Sequence, residues 1–283
     1  MRKLIKISIF LLLALASTGA LSQRNLLQMD AQSAGKDSFL SKISGEVGGL
    51  ARTDFKQSSD NSKIFQSEWD GRLDYRASKK SILRVSFGLV KDLTDNYEET
   101  LNDAFLTHTY LSLYNTKNYT LHLQTRVTVP TSEQSQYSDR LKTALEINPI
   151  SILNLEAYVP KLTLIFIPRY KRFFNEFTTN RLGDNLVEQS LIGIGVLNYQ
   201  ATDQILLSST FVYVKSRGYN GRNRADQVIT SQDLAYFIND SASANVGIST
   251  GGALRDLERG RDREFNFFDD QRSQFYTGLS FIF

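Results

Sequence analysis

From residue 40 onward the chain is written in segments of about ten residues in which apolar and polar side chains alternate. Between residues 119 and 130 the odd positions are Tyr119, Leu121, Leu123, Thr125, Val127 and Val129, and the even ones Thr120, His122, Gln124, Arg126 and Thr128. Between residues 65 and 76, Phe65, Trp69, Leu73 and Tyr75 share one parity, while Gln66, Glu68, Asp70, Arg72, Asp74 and Arg76 share the other. A repeat of two belongs to the extended strand, whose successive side chains point to opposite faces. Each segment therefore has one greasy face and one charged face, a pattern unsuited to helices.

The rhythm predicts about twelve strands, near residues 42–52, 65–76, 81–92, 104–114, 119–130, 139–148, 161–172, 186–199, 204–215, 227–239, 243–251 and 273–283. Short connections rich in Asn, Asp, Ser, Thr and Lys are expected at 77–80, 115–118, 200–203 and 240–242, and long polar ones at 53–64, 93–103, 131–138, 173–185, 216–226 and 252–272. Such alternation fits an all-β fold, a transmembrane antiparallel up-and-down β-barrel with short periplasmic turns and longer extracellular loops, and a soluble sandwich has no reason to produce it. Two places stay open. Residues 149–160 read either as a long turn or as more strand, and the segments at 186–199 and 227–239 carry apolar residues on both parities.

Residues 1–22 read as a secretory signal peptide, with Arg2, Lys3 and Lys6 as its basic start, an apolar run over 7–16 and a small-x-small cleavage site at Ala20, Leu21 and Ser22. Residues 23–39 show no periodicity and are expected to form a flexible periplasmic tail or a small plug, leaving 40–283 as the barrel. Losing three cations reduces 33 Lys+Arg to 30 against 30 Asp+Glu, so the remaining chain is neutral. No nucleic-acid partner is expected of a neutral chain without a basic stripe. With no Cys, disulfides and thiolate metal sites are excluded. No later stretch reaches 18 consecutive apolar residues, so spanning helices are not expected beyond the signal.

The final segment narrows the class. Phe275, Thr277, Leu279, Phe281 and Phe283 form one apolar face, and the last eight residues read Tyr276-Thr277-Gly278-Leu279-Ser280-Phe281-Ile282-Phe283. This run resembles the C-terminal β-signal of the bacterial outer-membrane β-barrel (porin-like) superfamily, on Tyr276, Gly278, Phe281 and Phe283. The resemblance covers eight residues and names no specific family. It implies recognition by the barrel-assembly machinery and residence in the Gram-negative outer membrane, against lipid and lipopolysaccharide. Closure as a barrel agrees with the physics, because in hydrocarbon every backbone N–H and C=O must be paired. Aromatic residues near segment ends, Tyr75, Tyr119 and Phe283 at one end and Phe65, Phe105, Tyr170, Tyr213 and Phe275 at the other, suit two interfacial girdles.

If the apolar parity faces lipid, the other parity lines the lumen. It gives an acidic wall of Glu46, Glu68, Asp70 and Asp74, and a basic wall of Arg84, Arg126, Arg140, Lys142, Arg169 and Lys171, with His108, His122, Glu146 and Lys161 also inward. Opposed walls in a narrow pore create a transverse field that orients dipolar or anionic solutes. The expected function is a narrow passive channel for small polar solutes, biased by the basic wall toward anions. Strand count and basic wall are similar to those of twelve-stranded porins for acidic oligosaccharides, which does not transfer a substrate. Polar lumen residues also arise from alternation alone, so a non-conducting structural or adhesion barrel plugged by ion pairs is the alternative.

A lipid-modifying enzyme ranks third, and no catalytic residue is assigned. In the outer-membrane phospholipase family a His and a Ser lie two residues apart on a strand, whereas His108 is followed by Tyr110 and His122 by Gln124. A protease of the omptin type needs Asp-x-His at the rim, and no His lies in an expected loop, although Asp269 and Asp270 supply acids. No cofactor and no metal are expected. The connection at 252–272, with Arg255, Arg259, Arg261, Arg263 and a cluster of Phe265, Phe267 and Phe268, suits a gate, lipopolysaccharide phosphates or a surface partner.

Overall fold

The computed structural model describes residues 42–55, 65–94, 98–254 and 272–283. The expected signal peptide and tail, and most of the connection at 252–272, lie outside these residues. Thirteen strands follow one another: β1 (Ile43–Asp54), β2 (Phe65–Ser78), β3 (Ser81–Asp92), β4 (Glu99–Leu101), β5 (Ala104–Asn115), β6 (Tyr119–Val129), β7 (Leu141–Asn154), β8 (Leu162–Asn175), β9 (Val187–Gln200), β10 (Ile205–Gly218), β11 (Gln227–Phe237), β12 (Ala242–Ala253) and β13 (Ser273–Ile282). The three-residue β4 only folds the connection after β3 back onto Leu89, Val90 and Lys91. The other twelve form a closed antiparallel barrel in which each pairs with its neighbours in the chain. β13 returns to β1, with Val47 opposite Phe281 and Arg52 opposite Tyr276.

Closure follows from the lipid-facing parity. Trp69, Leu73, Phe87, Leu106, Phe211, Leu279 and Phe281 all point outward and are at least 45% exposed, Phe87 reaching 56%. A sheet so apolar on its outer face must lie in hydrocarbon, where an unpaired edge is too costly to leave open. Both described chain ends share one rim with the short turns; the long connections share the other. We call these the turn rim and the loop rim.

The stretch left open at 149–160 divides cleanly. β7 runs through Pro149 to Asn154, and a turn of residues 155–161 follows. β7 and β8 pair at Ile147 with Tyr170 and again at Ser151 with Phe166. Constant register between these pairs sets Pro149 opposite Pro168, where neither residue can donate to the ladder.

At the seam, Gly278 admits nothing larger, because a Cβ there would sit 2.6 Å from Asn245 Oδ1 and 2.9 Å from the carbonyl of Gly49. Tyr276 is buried inside and its ring covers Gly247, whereas Phe281 and Phe283 point out. The residues expected to form an assembly signal thus also close the wall.

Candidate functional site in the barrel lumen

On β1–β3 each of the three inward arginines Arg52, Arg72 and Arg84 has a carboxylate beside it. Arg52 is 1% exposed; its Nη2 lies 3.3 Å from Glu68 and its Nη1 donates to Gln274 at 3.3 Å. Arg72 pairs with Glu46, which also accepts from Ser280 Oγ at 2.6 Å. Arg84 forks onto Asp74, Nε to Oδ1 at 2.5 Å and Nη2 to Oδ2 at 2.9 Å. The bidentate geometry is the strong form of such a pair. Asp70 faces Gly48 across the seam-side strand, where a Cβ would lie 3.0 Å from its Oδ1. All four residues of the expected acidic wall therefore point inward, and three of them are neutralised by arginines of the same wall.

On β6–β8 the balance is different. Glu146 on β7 is opposite Arg126 on β6 and Lys171 on β8 in register. Lys171 Nζ is 3.0 Å from Glu146 Oε1, while Arg126 Nη1 and Arg169 Nε each stand 3.7 Å from Oε2. Three cations against one carboxylate leave two positive charges uncompensated within the cluster. Among the described residues, Nε and Nη1 of Arg126 and Nε of Arg169 are buried without a hydrogen-bond partner. The Phe105 ring lies under the cluster, 5.0 Å from Arg126 and 5.9 Å from Lys171, and Phe173 lies 4.8 Å from Lys171. These ring faces stabilise the cations without neutralising them. Toward the turn rim the charges give way to amides, Asn148 donating to Gln124 at 3.0 Å. His122 is buried beside them, its Nδ1 accepting the backbone N–H of Ser112 at 2.8 Å.

The structure corrects five placements. Arg140 is exposed at the loop rim just before β7, with φ of 46°. Lys142 is exposed too, because the register shifts between Leu141 and Thr143 and the bulge turns its side chain away from the lumen parity. Lys161 sits in the turn after β7 with φ of 63°, near Asp203 at 3.8 Å. On β5 the parity is opposite to expectation: Thr107, Thr109 and Leu111 are buried inside, and with them points Phe105, which leaves the aromatic girdle. His108 therefore faces outward, away from His122, and the two form no common metal site.

On that outer face His108 Nε2 bonds Ser81 Oγ at 2.8 Å across β3 and β5. A serine–histidine contact is the first element of acyl-transfer chemistry, and spacing along one strand does not reveal it. Among the described residues no side chain bonds the other ring nitrogen to orient the imidazole, which is the role of the third group in such chemistry.

The part of the lumen that the alternation missed centres on β9, one of the two strands of ambiguous parity, and reaches its neighbours. On β9 the inward positions include Ile192, Ile194 and Val196, and on β10 Val212 and Val214. With Ile150, Ile152, Ile165 and Ile229 they form one buried aliphatic cluster. A signal was present in the sequence: counted from the strand starts, these residues fall on the same parity as Ser190, Asn198 and Ser208, which are buried polar residues. Beyond this wall, Tyr276 donates its hydroxyl to Asp233, which also accepts from Ser231 Oγ at 3.3 Å.

No protein-family model matches the chain, and no curated protein matches it. Among solved structures it is similar to the COG4313 outer membrane channel from Pseudomonas putida F1, with 12% identity and a TM-score of 0.57 over 85% of this chain and 95% of that one. It is also similar to the NanC porin, with 12% identity and a TM-score of 0.54 over 84% of this chain and 98% of that one. The fold is that of the outer-membrane β-barrels: twelve antiparallel strands, closed, with a charged interior.

Proposed function

We propose that the protein is a narrow passive channel of the outer membrane, biased toward small anionic solutes. The observation that carries this reading is the β6–β8 cluster, where one carboxylate faces three cations and, among the described residues, buried guanidinium donors have no hydrogen-bond partner. Buried charge of one sign is costly, and a chain has no structural reason to keep it inside a barrel unless it serves a counter-charge. The two solved structures named above are described by their names as a channel and a porin, which supports the same reading. Outer-membrane residence, lipid and lipopolysaccharide neighbours, and delivery by the barrel-assembly machinery belong to this proposal. The lipid-facing belt and the terminal run from Tyr276 to Phe283 support them.

The test is single-channel conductance of refolded protein in planar bilayers, with the reversal potential read under a salt gradient. Anion-preferring steps are expected, and Arg126→Glu combined with Arg169→Glu moves the reversal potential toward cation preference. A folded barrel that passes no current overturns the reading. It would favour instead the salt-bridged structural or adhesion barrel, for which the arginine–carboxylate pairing on β1–β3 speaks.

A further inference from the structure

The lumen changes character within one register step. Arg169 on β8 is opposite Ile192 on β9, and the next inward pairs toward the turn rim are Ile167 with Ile194 and Ile165 with Val196. Val212 on β10 is opposite Ile194 and extends the same surface. The aliphatic cluster therefore begins where the cationic cluster ends. Alternation alone does not demand this: β12 meets the same lumen with Ser243 and Ser249. A passage for hydrated inorganic ions gains nothing from a wall of Ile and Val, since apolar surface offers an ion no replacement for its water. A site with a large apolar surface and a few convergent charged groups is instead the kind that orients an organic molecule.

We propose that the solute is an amphipathic carboxylate, its head held by Arg126, Arg169 and Lys171 and its aliphatic or aromatic body lying along Ile192, Ile194 and Val212. This rests on the channel reading and names its substrate class. The guanidinium N–H groups that lack a hydrogen-bond partner, Nε and Nη1 of Arg126 and Nε of Arg169, suit the two oxygens of one carboxylate shared between the two arginines. The body is bounded in length as well. Four residues separate Arg169 from Ile165, so at about 3.3 Å per residue the apolar wall below the head extends about 13 Å.

The experiment records how long acetate, butyrate, hexanoate and gluconate interrupt the chloride current of the refolded barrel. Full burial of a methylene is worth about a fourfold change in occupancy and half-burial about twofold, so block times should lengthen about two- to fourfold per methylene from acetate to hexanoate. Gluconate, with a six-carbon chain clothed in hydroxyls, should block no longer than acetate. Val212→Thr, which keeps the side-chain shape, should shorten hexanoate blocks several-fold relative to acetate blocks. Gluconate and hexanoate blocking equally would overturn the inference while leaving the channel intact. If no chloride current appears, the channel reading falls, and titration calorimetry of detergent-held barrel decides the site on its own. A tenfold preference for hexanoate over gluconate upholds it, and equal binding ends it.

Discussion

Two charged walls of the same barrel are built on opposite principles. On β1–β3 each arginine has a carboxylate of its own, Arg52 with Glu68, Arg72 with Glu46 and Arg84 with Asp74. On β6–β8 Arg126, Arg169 and Lys171 share Glu146. Both are ladders of buried charge across hydrogen-bonded strands, and composition alone would not separate them. Pairing lets the first wall act as scaffold, because the desolvation cost of each arginine is offset by its carboxylate, with Asp70 as a fourth acid beyond the three pairs. The second wall keeps a surplus, and a surplus has to be met by something from outside.

The sharpest way to break this comparison is to remove the shared partner. Glu146→Ala leaves three buried cations facing one another, and uncompensated buried charge of this kind costs about 3–5 kcal/mol. The urea midpoint of the refolded barrel should fall accordingly, while any current that survives becomes more anion-selective. A small loss of stability, comparable to that of an exposed ion pair such as Lys91–Glu99, would show that water screens the cluster and that the two walls are alike.

A smaller effect is expected where a carboxylate is held without any cation in contact. Asp233 is bonded by the hydroxyls of Tyr276 and Ser231. Tyr276→Phe removes the better of the two and strands the carboxylate, at a cost of about 1–3 kcal/mol measured by the same denaturation. Selectivity should not move, because no charge has changed. A shift in reversal potential would mean that Asp233 reaches the conduction path, and the surplus on β6–β8 would then no longer be the main determinant.

What the sequence made legible follows from which environment is uniform. Hydrocarbon accepts only apolar side chains, so the outward parity is regular and the twelve strands lie within three residues of where alternation puts them, except that β7 runs six residues past 148. The lumen imposes no such uniformity. Where its residues are charged, as on β2 and β6, contrast with the lipid face is strong and parity is plain. Where they are aliphatic, as at Ile192, Ile194 and Val196, contrast vanishes and period two is invisible. On β5 the polar His108 pointed to the wrong face because a hydrogen bond to Ser81 satisfies it outside. Lys142 went astray through a bulge, which shifts parity by one residue without a mark in the composition. The convergence of three cations on Glu146 required the register of β6, β7 and β8, which depends on how each connection folds.

The border between the apolar and polar parts of the lumen supplies the finest test. Thr210 on β10 points inward opposite Val196, next to the aliphatic cluster, and its hydroxyl is buried without a hydrogen-bond partner among the described residues. A buried hydroxyl with no partner carries a desolvation cost that an isosteric methyl avoids. Thr210→Val should therefore stabilise the barrel by about 1 kcal/mol, read as a rise in the urea midpoint. The sign matters more than the size. Destabilisation would mean that water reaches Thr210, so that the wet region of the lumen extends one pair further into the aliphatic wall than burial indicates, and the apolar surface available to a solute would be shorter by that step.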